Sequence, residues 1–201
     1  MNARKTITVF IVPILFFLNN CSNGQPDSTH ISEYIGQEQR VIKSLSESDI
    51  EELKTGQGWG LAKAAELNGI PGPRHVLDMG SQIELTLSQV EKIQHFSEVM
   101  QKDAIKWGQD LIEAEKSLNQ FFIDNKTNFD SLKSRIMEAS HALFELRFVH
   151  LKSHLQTAEV LSEQQINMYN TLRGYNSDTD PCEEVPEGHD PKLWRKHNNC
   201  E

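Results

Sequence analysis

The sequence predicts an all-α protein built on one long antiparallel helical hairpin with short flanking helices. Two observations predict this fold. Apolar residues recur at intervals of three and four along two long segments, which is the period of one face of an α-helix. A short polar turn at 124–128 (DNKTN) joins the two segments, and helices joined so closely are expected to run antiparallel. No strand-like alternation of apolar and polar residues stands out.

The chain begins with a pattern typical of an export signal. Arg4 and Lys5 precede an apolar run at 7–18 (ITVFIVPILFFL), which is too short to span a bilayer core of about 30 Å but suits a signal peptide. A leucine three residues before Cys21 resembles the lipobox of bacterial lipoproteins, in which the cysteine is lipidated and becomes the first mature residue. We therefore predict a lipoprotein-type signal peptide over 1–20, a lipidated Cys21 and a periplasmic location. Cleaved soluble export is the alternative.

The charge balance limits the classes of partner. The chain has 29 acidic and 20 basic residues and a formal net charge of −9, and removal of the signal peptide would make it more acidic still. An acidic protein does not attract nucleic acid through its phosphates, but it can attract cations. We therefore expect no nucleic-acid partner, and we expect contact with a membrane only through the lipid anchor.

The remaining chain divides into three parts. Residues 21–45 begin with a polar segment and are predicted to be a tether. Residues 46–175 are predicted to be the helical domain, which opens with a capping box at 48–51 (SDIE). The glycine-rich segment 56–72 lacks the G-K-[ST] ending of a phosphate loop, so we interpret it as a connection. Residues 176–201 are predicted to be an irregular tail.

Proline, glycine and capping boxes mark the ends of the predicted helices. Proline after Gly72 predicts a short helix over 74–83. A capping box of Thr86 and Gln89 opens the first long helix, which is expected to end near Phe122, and the second long helix is expected over 129–160. A further box, Ser162 with Gln165, opens a short helix that ends at Arg173 and is followed by a glycine cap.

The second long helix carries an inward stripe and a further apolar row. The stripe comprises Leu132, Ile136, Ala139, Leu143, Leu146, His150, His154, Thr157 and Leu161. The further row, which is expected to widen this face, comprises Met137, Phe144, Phe148, Leu151 and Leu155. One hairpin has too little interior to bury so much apolar surface, so short helices or a second copy must cover it. We expect a homodimer.

Two histidines form the candidate metal site. His150 and His154 are four residues apart on the inward stripe, a spacing that lets two imidazoles reach one metal ion. In an antiparallel hairpin Met100 lies opposite His150, and His95 lies opposite His154. Two imidazoles and a thioether suit zinc or copper better than calcium or magnesium. The alternative is that both histidines are hydrogen-bonded interior residues.

Two cysteines near the end of the sequence are candidates for a disulfide. If Cys21 carries lipid, Cys182 and Cys200 are an even pair in an oxidising compartment, and we predict a disulfide between them. A low-affinity metal site in the tail, with His189 and His197, is the alternative.

The sequence has no G-x-S-x-G motif and no readable pair of catalytic carboxylates, so we expect no enzyme.

Two motifs carry a family resemblance. Residues 85–89 (LTLSQ) match an L-T-x-x-Q motif, and 161–165 (LSEQQ) repeat it with serine in place of threonine. Two such motifs around a long helical hairpin resemble the Spy/CpxP group of bacterial periplasmic proteins, which includes zinc-resistance-associated proteins and heavy-metal sensors. Residues 65–77, 146–155 and 189–200 are similar to the metal-resistance branch of that group.

The resemblance implies a helical hairpin, usually dimeric, whose concave face holds unfolded proteins. It also implies roles in envelope stress, namely ATP-independent chaperoning, metal sensing or inhibition of a membrane sensor protein. Two features depart from the group: chaperone members tend to have a basic cradle, whereas this chain is acidic, and many members are soluble. From these observations we expect a metal-responsive accessory protein, with a chaperone as the alternative and a purely structural lipoprotein as a third hypothesis.

Overall fold

The computed structural model describes residues 30–125, 128–175, 180–183, 185 and 189–200. The predicted signal peptide over 1–20 and the predicted lipidation of Cys21 lie outside the described residues. Within these ranges the regular structure is entirely helical, so the predicted all-α class is confirmed. No helix in this part of the chain combines the length and the hydropathy that a membrane span requires.

The described part of the chain contains a short 3-10 helix and seven α-helices. In chain order they are the 3-10 helix Gln37–Gln39, α1 Glu47–Thr55, α2 Lys63–Glu66, α3 Pro73–Asp78, α4 Leu87–Ile123, α5 Phe129–Val160, α6 Glu163–Leu172 and α7 Pro191–His197. The long helices α4 and α5 pack along each other, and α1 and α3 both pack against α4. The chain divides into two units, residues up to Gly36 and residues from Gln37 onward. In the first unit the backbone turns at Ser32, whose carbonyl accepts a hydrogen bond from the Ile35 amide.

The helical domain begins before the predicted boundary at residue 46. Ile42 and Leu45, which were assigned to the tether, are 3% and 4% exposed and belong to the main core. The Ser44 hydroxyl also donates a hydrogen bond of 2.7 Å to the Glu115 carboxylate of α4. Two apolar residues in a polar segment show no period, so the sequence pattern did not reveal this contact.

The capping box of α1 lies two residues earlier than predicted. Ser46 is the N-cap, and its backbone amide donates to the Asp49 carboxylate at 2.7 Å. The Trp59 indole donates to the other oxygen of the same carboxylate at 2.8 Å. Hydrogen bonds from Ser46 and Trp59 therefore favour this box over the overlapping predicted box at Ser48 and Glu51.

Helix α3 starts as predicted but is shorter. Gly72 is its N-cap and Pro73 its first residue, yet the helix ends at Asp78 rather than at 83. The backbone then continues as turns, and Glu84 adopts a left-handed conformation with φ of 54°. Helix α2 within the glycine-rich connection was not predicted, because four residues are too few to show a period.

Close helix packing surrounds the inner face of α5. Small or β-branched residues contribute much of this face, namely Ala139, Ala142, Ser153 and Thr157. On α4, Gly108 is buried beneath α1, where a Cβ atom would lie 2.3 Å from the Leu53 carbonyl oxygen. The position therefore requires glycine because the backbones of α1 and α4 approach so closely.

The further apolar row of α5 does not widen the inner face, so that prediction was wrong. Met137, Phe144, Phe148 and Leu155 are 50–62% exposed. Phe144 and Phe148 are each two residues from the buried Leu146, and two residues turn an α-helix by about 200°. The row therefore lies on the opposite side of α5. Ile136 and Leu143 of the predicted inward stripe are also exposed, at 47% and 39%.

Candidate functional site

A cleft of about 270 Å³ lies where the glycine-rich connection meets the long helices. Met100 of α4 and His150, Ser153 and His154 of α5 line one side of the cleft. The opposite side is contributed by the connection and by α3, and Arg173 also lines the cleft. The structure thus brings three of the four predicted metal ligands to one cleft.

His150 presents an unpaired nitrogen. The residue is 4% exposed, and its Nδ1 lies 2.8 Å from the Leu146 carbonyl oxygen, one helical turn away. A carbonyl can only accept, so Nδ1 carries the proton and, in the neutral ring, Nε2 holds a lone pair. Nε2 is buried and has no hydrogen-bond partner among the described residues.

The electrostatic setting keeps the His150 ring neutral. Burial lowers the pKa of His150 below its ordinary value, and the neighbouring His154 lowers it further. The Leu146 carbonyl opposes this change, and the Gln57 backbone opposes it more weakly. At neutral pH the Nε2 lone pair is therefore not occupied by a proton.

His154 is oriented in the same way by a different segment. It is 8% exposed, and its Nδ1 lies 2.8 Å from the carbonyl oxygen of Ile70 in the glycine-rich connection. The His154 ring packs against Gly72, where a Cβ atom would lie 2.6 Å from Nε2 and 2.7 Å from Cε1. Gly72 therefore leaves the space that the ring needs at the cleft.

The Glu66 carboxylate lies beside His154 and accepts several hydrogen bonds. One Glu66 carboxylate oxygen accepts from the Tyr169 hydroxyl at 2.6 Å, the Tyr175 hydroxyl at 3.0 Å and Arg173 Nε at 3.2 Å. The other oxygen lies 3.9 Å from His154 Nδ1. Burial and then the Glu66 hydrogen bond raise the pKa of Tyr169, so the phenol stays protonated as a donor.

The hydroxyl groups beside the histidines are engaged within α5. Ser153 Oγ donates to the His150 carbonyl at 2.7 Å, and Thr157 Oγ1 donates to the Ser153 carbonyl at the same distance. Both hydroxyl groups therefore donate to carbonyl oxygens of α5 and not to the imidazole nitrogens.

His95 does not reach this cleft. It lines a neighbouring cavity with Phe96, Met100 and Phe148, and it is exposed. His95 follows the fully buried Ile93 by two residues, which turns it about 200° from the inner face of α4. Across the described residues, no group of three or more His, Cys, Asp or Glu side chains is arranged to hold a metal ion.

Several residues of the cleft were missed by the sequence analysis. Glu66, Gly72 and His75 line it, as do three cationic side chains, Lys63, Arg74 and Arg173. The sequence signals for these residues were the density of glycine in 56–72, which we interpret as a connection, and the resemblance of 65–77 to the metal-resistance branch. A connection that folds over a helix pair cannot be distinguished from a solvent-exposed loop by composition.

The two L-[TS]-x-x-Q motifs meet in space. Thr86 with Gln89 and Ser162 with Gln165 form the predicted capping boxes. The amide group of Gln89 donates to Gln165 Oε1 at 2.8 Å, and that of Gln165 donates to Gln89 Oε1 at 3.1 Å. Gln89 also donates to the Val160 carbonyl at 2.8 Å. Each glutamine therefore caps its own helix and ties the two helix starts together.

The tail is bridged and partly helical. Cys182 and Cys200, the pair that we predicted to be bridged, form a disulfide. Residues 191–197, predicted to be irregular, form α7, which is capped by the Asp190 side chain and begins with Pro191. An aspartate followed by proline is a typical helix start, so the sequence did contain this signal.

Comparison of the chain with protein-family models, with curated proteins and with solved structures found no match.

Proposed function

We propose that this chain is a metal-responsive accessory protein of the bacterial envelope that binds one transition-metal ion in the cleft and catalyses no reaction. The observation that carries the proposal is the buried, unpaired Nε2 of His150. Leaving a buried polar atom without a partner costs about 1–3 kcal/mol, and a ligand that accepts the lone pair would remove this cost.

The orientation of both imidazoles supports the proposal. Metal-binding histidines commonly donate their second ring N–H to a backbone carbonyl or a carboxylate, which sets the tautomer and the ring direction. His150 and His154 each direct Nδ1 to a carbonyl, of Leu146 and Ile70 respectively. Met100 lines the same cleft and would supply a thioether. The export signal and the family resemblance of the sequence support an envelope location.

Calorimetric titration of the purified protein with zinc and copper tests this function. We expect one equivalent of metal to bind, and we expect His150→Ala with His154→Ala to abolish binding while circular dichroism remains helical. The matched control is His95→Ala with His141→Ala, which removes two exposed histidines of the long helices and should leave binding unchanged. Equal binding by the cleft variant and the unmodified protein would refute the proposed site.

We also propose that α4 and α5 form an antiparallel hairpin. Gln89 near the start of α4 contacts the carbonyl of Val160 at the end of α5. Near the other ends, the Arg135 guanidinium of α5 lies 5.4 Å from the ring centre of Phe121. Contacts of start with end at both extremes are those expected of antiparallel helices.

The outer row of α5 supports dimerisation of this hairpin. Met137, His141, Phe144, Phe148, Leu151 and Leu155 follow one another at alternating intervals of four and three. This is the spacing of a coiled-coil seam, which buries its apolar residues against a second helix. We therefore propose a second copy of this chain as the partner of the outer row.

Light scattering coupled to size exclusion tests the dimer. Phe144→Ser with Phe148→Ser should convert the protein to a monomer with unchanged helix content, because both rings are at least half exposed in the single chain. Phe129→Ser, at a position that is 83% exposed at the start of α5, is the control and should leave the dimer intact. A protein that is already monomeric at micromolar concentration would contradict the proposal.

An ATP-independent chaperone is the second candidate function. The outer row of α5 is the observation that favours it, because large exposed apolar patches mark interaction surfaces. If this face holds unfolded proteins, the protein should slow aggregation of a denatured client, and Phe144→Ser with Phe148→Ser should remove that effect. No effect of the unmodified protein on client aggregation would exclude this candidate.

A further inference from the structure

The charges that line the cleft limit which metal it can hold. Three cationic side chains, Lys63, Arg74 and Arg173, line the cleft together with one carboxylate, Glu66. Both oxygens of that carboxylate face protein groups, since one accepts from Tyr169, Tyr175 and Arg173 and the other lies toward His154. No free anionic ligand is therefore left for a metal ion among the described residues of the cleft.

A dication is poorly suited to such a cleft. Arg173 is paired with Glu66, so the repelling charges of the cleft, its cationic rim, are Lys63 and Arg74. Coulomb repulsion from this rim is proportional to the charge of the ion, so a divalent ion is repelled twice as strongly as a monovalent one. Zinc sites normally use at least three protein ligands drawn from histidine, cysteine and carboxylates. No such group of three is present in the described part of the chain. The other histidine that lines the cleft, His75, is exposed and lies 3.8 Å from Asp78.

The donors that remain are neutral and partly soft. They are the unpaired Nε2 of His150, the Nε2 edge of His154 and the thioether of Met100. Thioether sulfur is a ligand for monovalent copper and is not a usual ligand for zinc. Two imidazoles and a thioether therefore suit an ion of low charge and low coordination number.

We propose that the cleft selects a soft monovalent ion, Cu⁺ or its redox-inert analogue Ag⁺, through His150, His154 and Met100. This inference rests on the proposed metal-binding function and narrows it. The imidazoles supply most of the affinity, and the thioether supplies the discrimination against Zn²⁺. The cationic rim adds to this discrimination because it repels divalent ions more strongly.

Titration of the purified protein with Ag⁺ and Zn²⁺ in chloride-free buffer tests the inference. All variants carry Cys21→Ser, because a free thiol would bind Ag⁺ by itself, whereas Cys182 and Cys200 are bridged. We expect one equivalent of Ag⁺ to bind, with weaker binding of Zn²⁺. Met100→Leu keeps the side-chain volume and removes the sulfur, so it should weaken Ag⁺ binding roughly tenfold or more while changing Zn²⁺ binding little.

Met168→Leu is the matched control. Met168 lies on α6, is 48% exposed and lines a different groove, so this variant should bind Ag⁺ like the parent. The Cu⁺ affinity, measured anaerobically against a competing chelator, should show the same dependence on Met100. Nitrogen NMR should show the His150 and His154 Nε2 resonances shifting at one equivalent of Ag⁺.

The remaining outcomes separate the two proposals. Tighter binding of Zn²⁺ than of Ag⁺ at His150 and His154, unaffected by Met100→Leu, would overturn the inference and leave the proposed metal-binding function standing. If neither ion binds, or if binding does not depend on His150 and His154, both the metal-binding function and its narrower form are overturned.

Discussion

Gly108 lies beneath the carbonyl oxygen of Leu53, and its lack of a Cβ atom allows the close approach of α1 to α4 at this point. Glycine within a helix ordinarily costs about 0.5–1 kcal/mol relative to alanine. The structure reverses that preference, because the space for a Cβ atom is already filled by backbone. His150 illustrates a similar conflict, since helical period places it in the core although one of its ring nitrogens has no hydrogen-bond partner in the described part of the chain.

Gly108→Ala should destabilise the protein, although alanine is the better helix former. We expect a loss of about 1–3 kcal/mol in the free energy of unfolding, because an added methyl group forces α1 and α4 apart. Urea unfolding followed by circular dichroism measures it. Gly58→Ala is the control, since a Cβ atom there would meet nothing within 4 Å. A neutral or stabilising effect of Gly108→Ala would show that α1 is not held at this distance.

Asp49 should make part of the stability dependent on pH. Burial tends to raise the pKa of Asp49, but hydrogen bonds from Ser46 and Trp59 outweigh burial and lower it below the ordinary value. A carboxyl whose pKa is lowered on folding stabilises the protein above its unfolded pKa of about 3.9, and the stabilisation is lost as pH falls through the folded pKa.

The loss of stability caused by removing Asp49 should therefore be smaller in acid than at neutral pH. Asp49→Ala should cost about 1.5–3 kcal/mol at pH 7, the usual value of a lost hydrogen bond to a charged group, and less near pH 3. Urea unfolding at both pH values measures the difference from the parent protein. Glu51→Ala, an exposed position on the same helix, should show little cost at either pH. An Asp49→Ala cost that is the same at pH 7 and pH 3 would contradict the ionised role.

At the scale of the helices, the capping boxes do more than start α4 and α6. A capping box is local, since it joins residues three apart and acts on its own helix. Here Gln89 and Gln165, the last residues of the two boxes, also exchange amide hydrogen bonds. Gln165 reaches the Glu84 carbonyl at 3.3 Å as well, so the pair joins the starts of α4 and α6 to the turn before α4.

A double-mutant cycle tests this link. Gln89→Ala and Gln165→Ala should each destabilise the protein, and their costs should be non-additive by about 0.5 kcal/mol or more because each removes the same amide pair. Urea unfolding of both single variants and the double variant gives the coupling. Gln89→Ala combined with Gln164→Ala, at the exposed neighbouring position, is the additive control. Additive costs for Gln89 and Gln165 would show that the boxes act separately.

The whole molecule combines a helical body with a bridged tail. Among the described helices, most contacts between helices run between α4 and α5, and α7 does not pack extensively against any other helix. Within the tail, the Trp194 indole donates to the Pro181 carbonyl at 2.7 Å, and the His189 ring lies 4.9 Å from the Trp194 ring. The Cys182–Cys200 disulfide closes the same segment. The tail is therefore held mainly by contacts within itself.

Removing the disulfide should loosen the tail and spare the body. In Cys182→Ser with Cys200→Ser we expect faster tryptic cleavage after Lys192, Arg195 and Lys196, because α7 is too short to be stable alone. The midpoint of thermal unfolding, followed by circular dichroism at the signal of the long helices, should stay unchanged. The unmodified protein treated with a reducing agent should behave like the variant. A drop of several degrees in that midpoint would show that the tail braces the body.

Local interactions explain why much of the fold could be predicted. The helix starts at Thr86 and Ser162 depend on side chains that reach the backbone within one turn, so they can be read from neighbouring residues. The long apolar periods of α4 and α5 likewise predicted their bounds to within about one residue. The two cysteines that pair in the tail followed from the expected compartment and an even count.

Contacts between distant segments decided the rest. Periodicity predicted that Leu146 lies on the inward stripe of α5, but only the helix partners revealed that the row with Phe148 faces outward. His150 and His154 were visible as a pair, whereas Lys63, Glu66 and Gly72 reach them through a connection whose path no local rule specifies. Hydrogen bonds within one helical turn are encoded by adjacent residues, but which surfaces meet depends on the balance of burial over the entire chain.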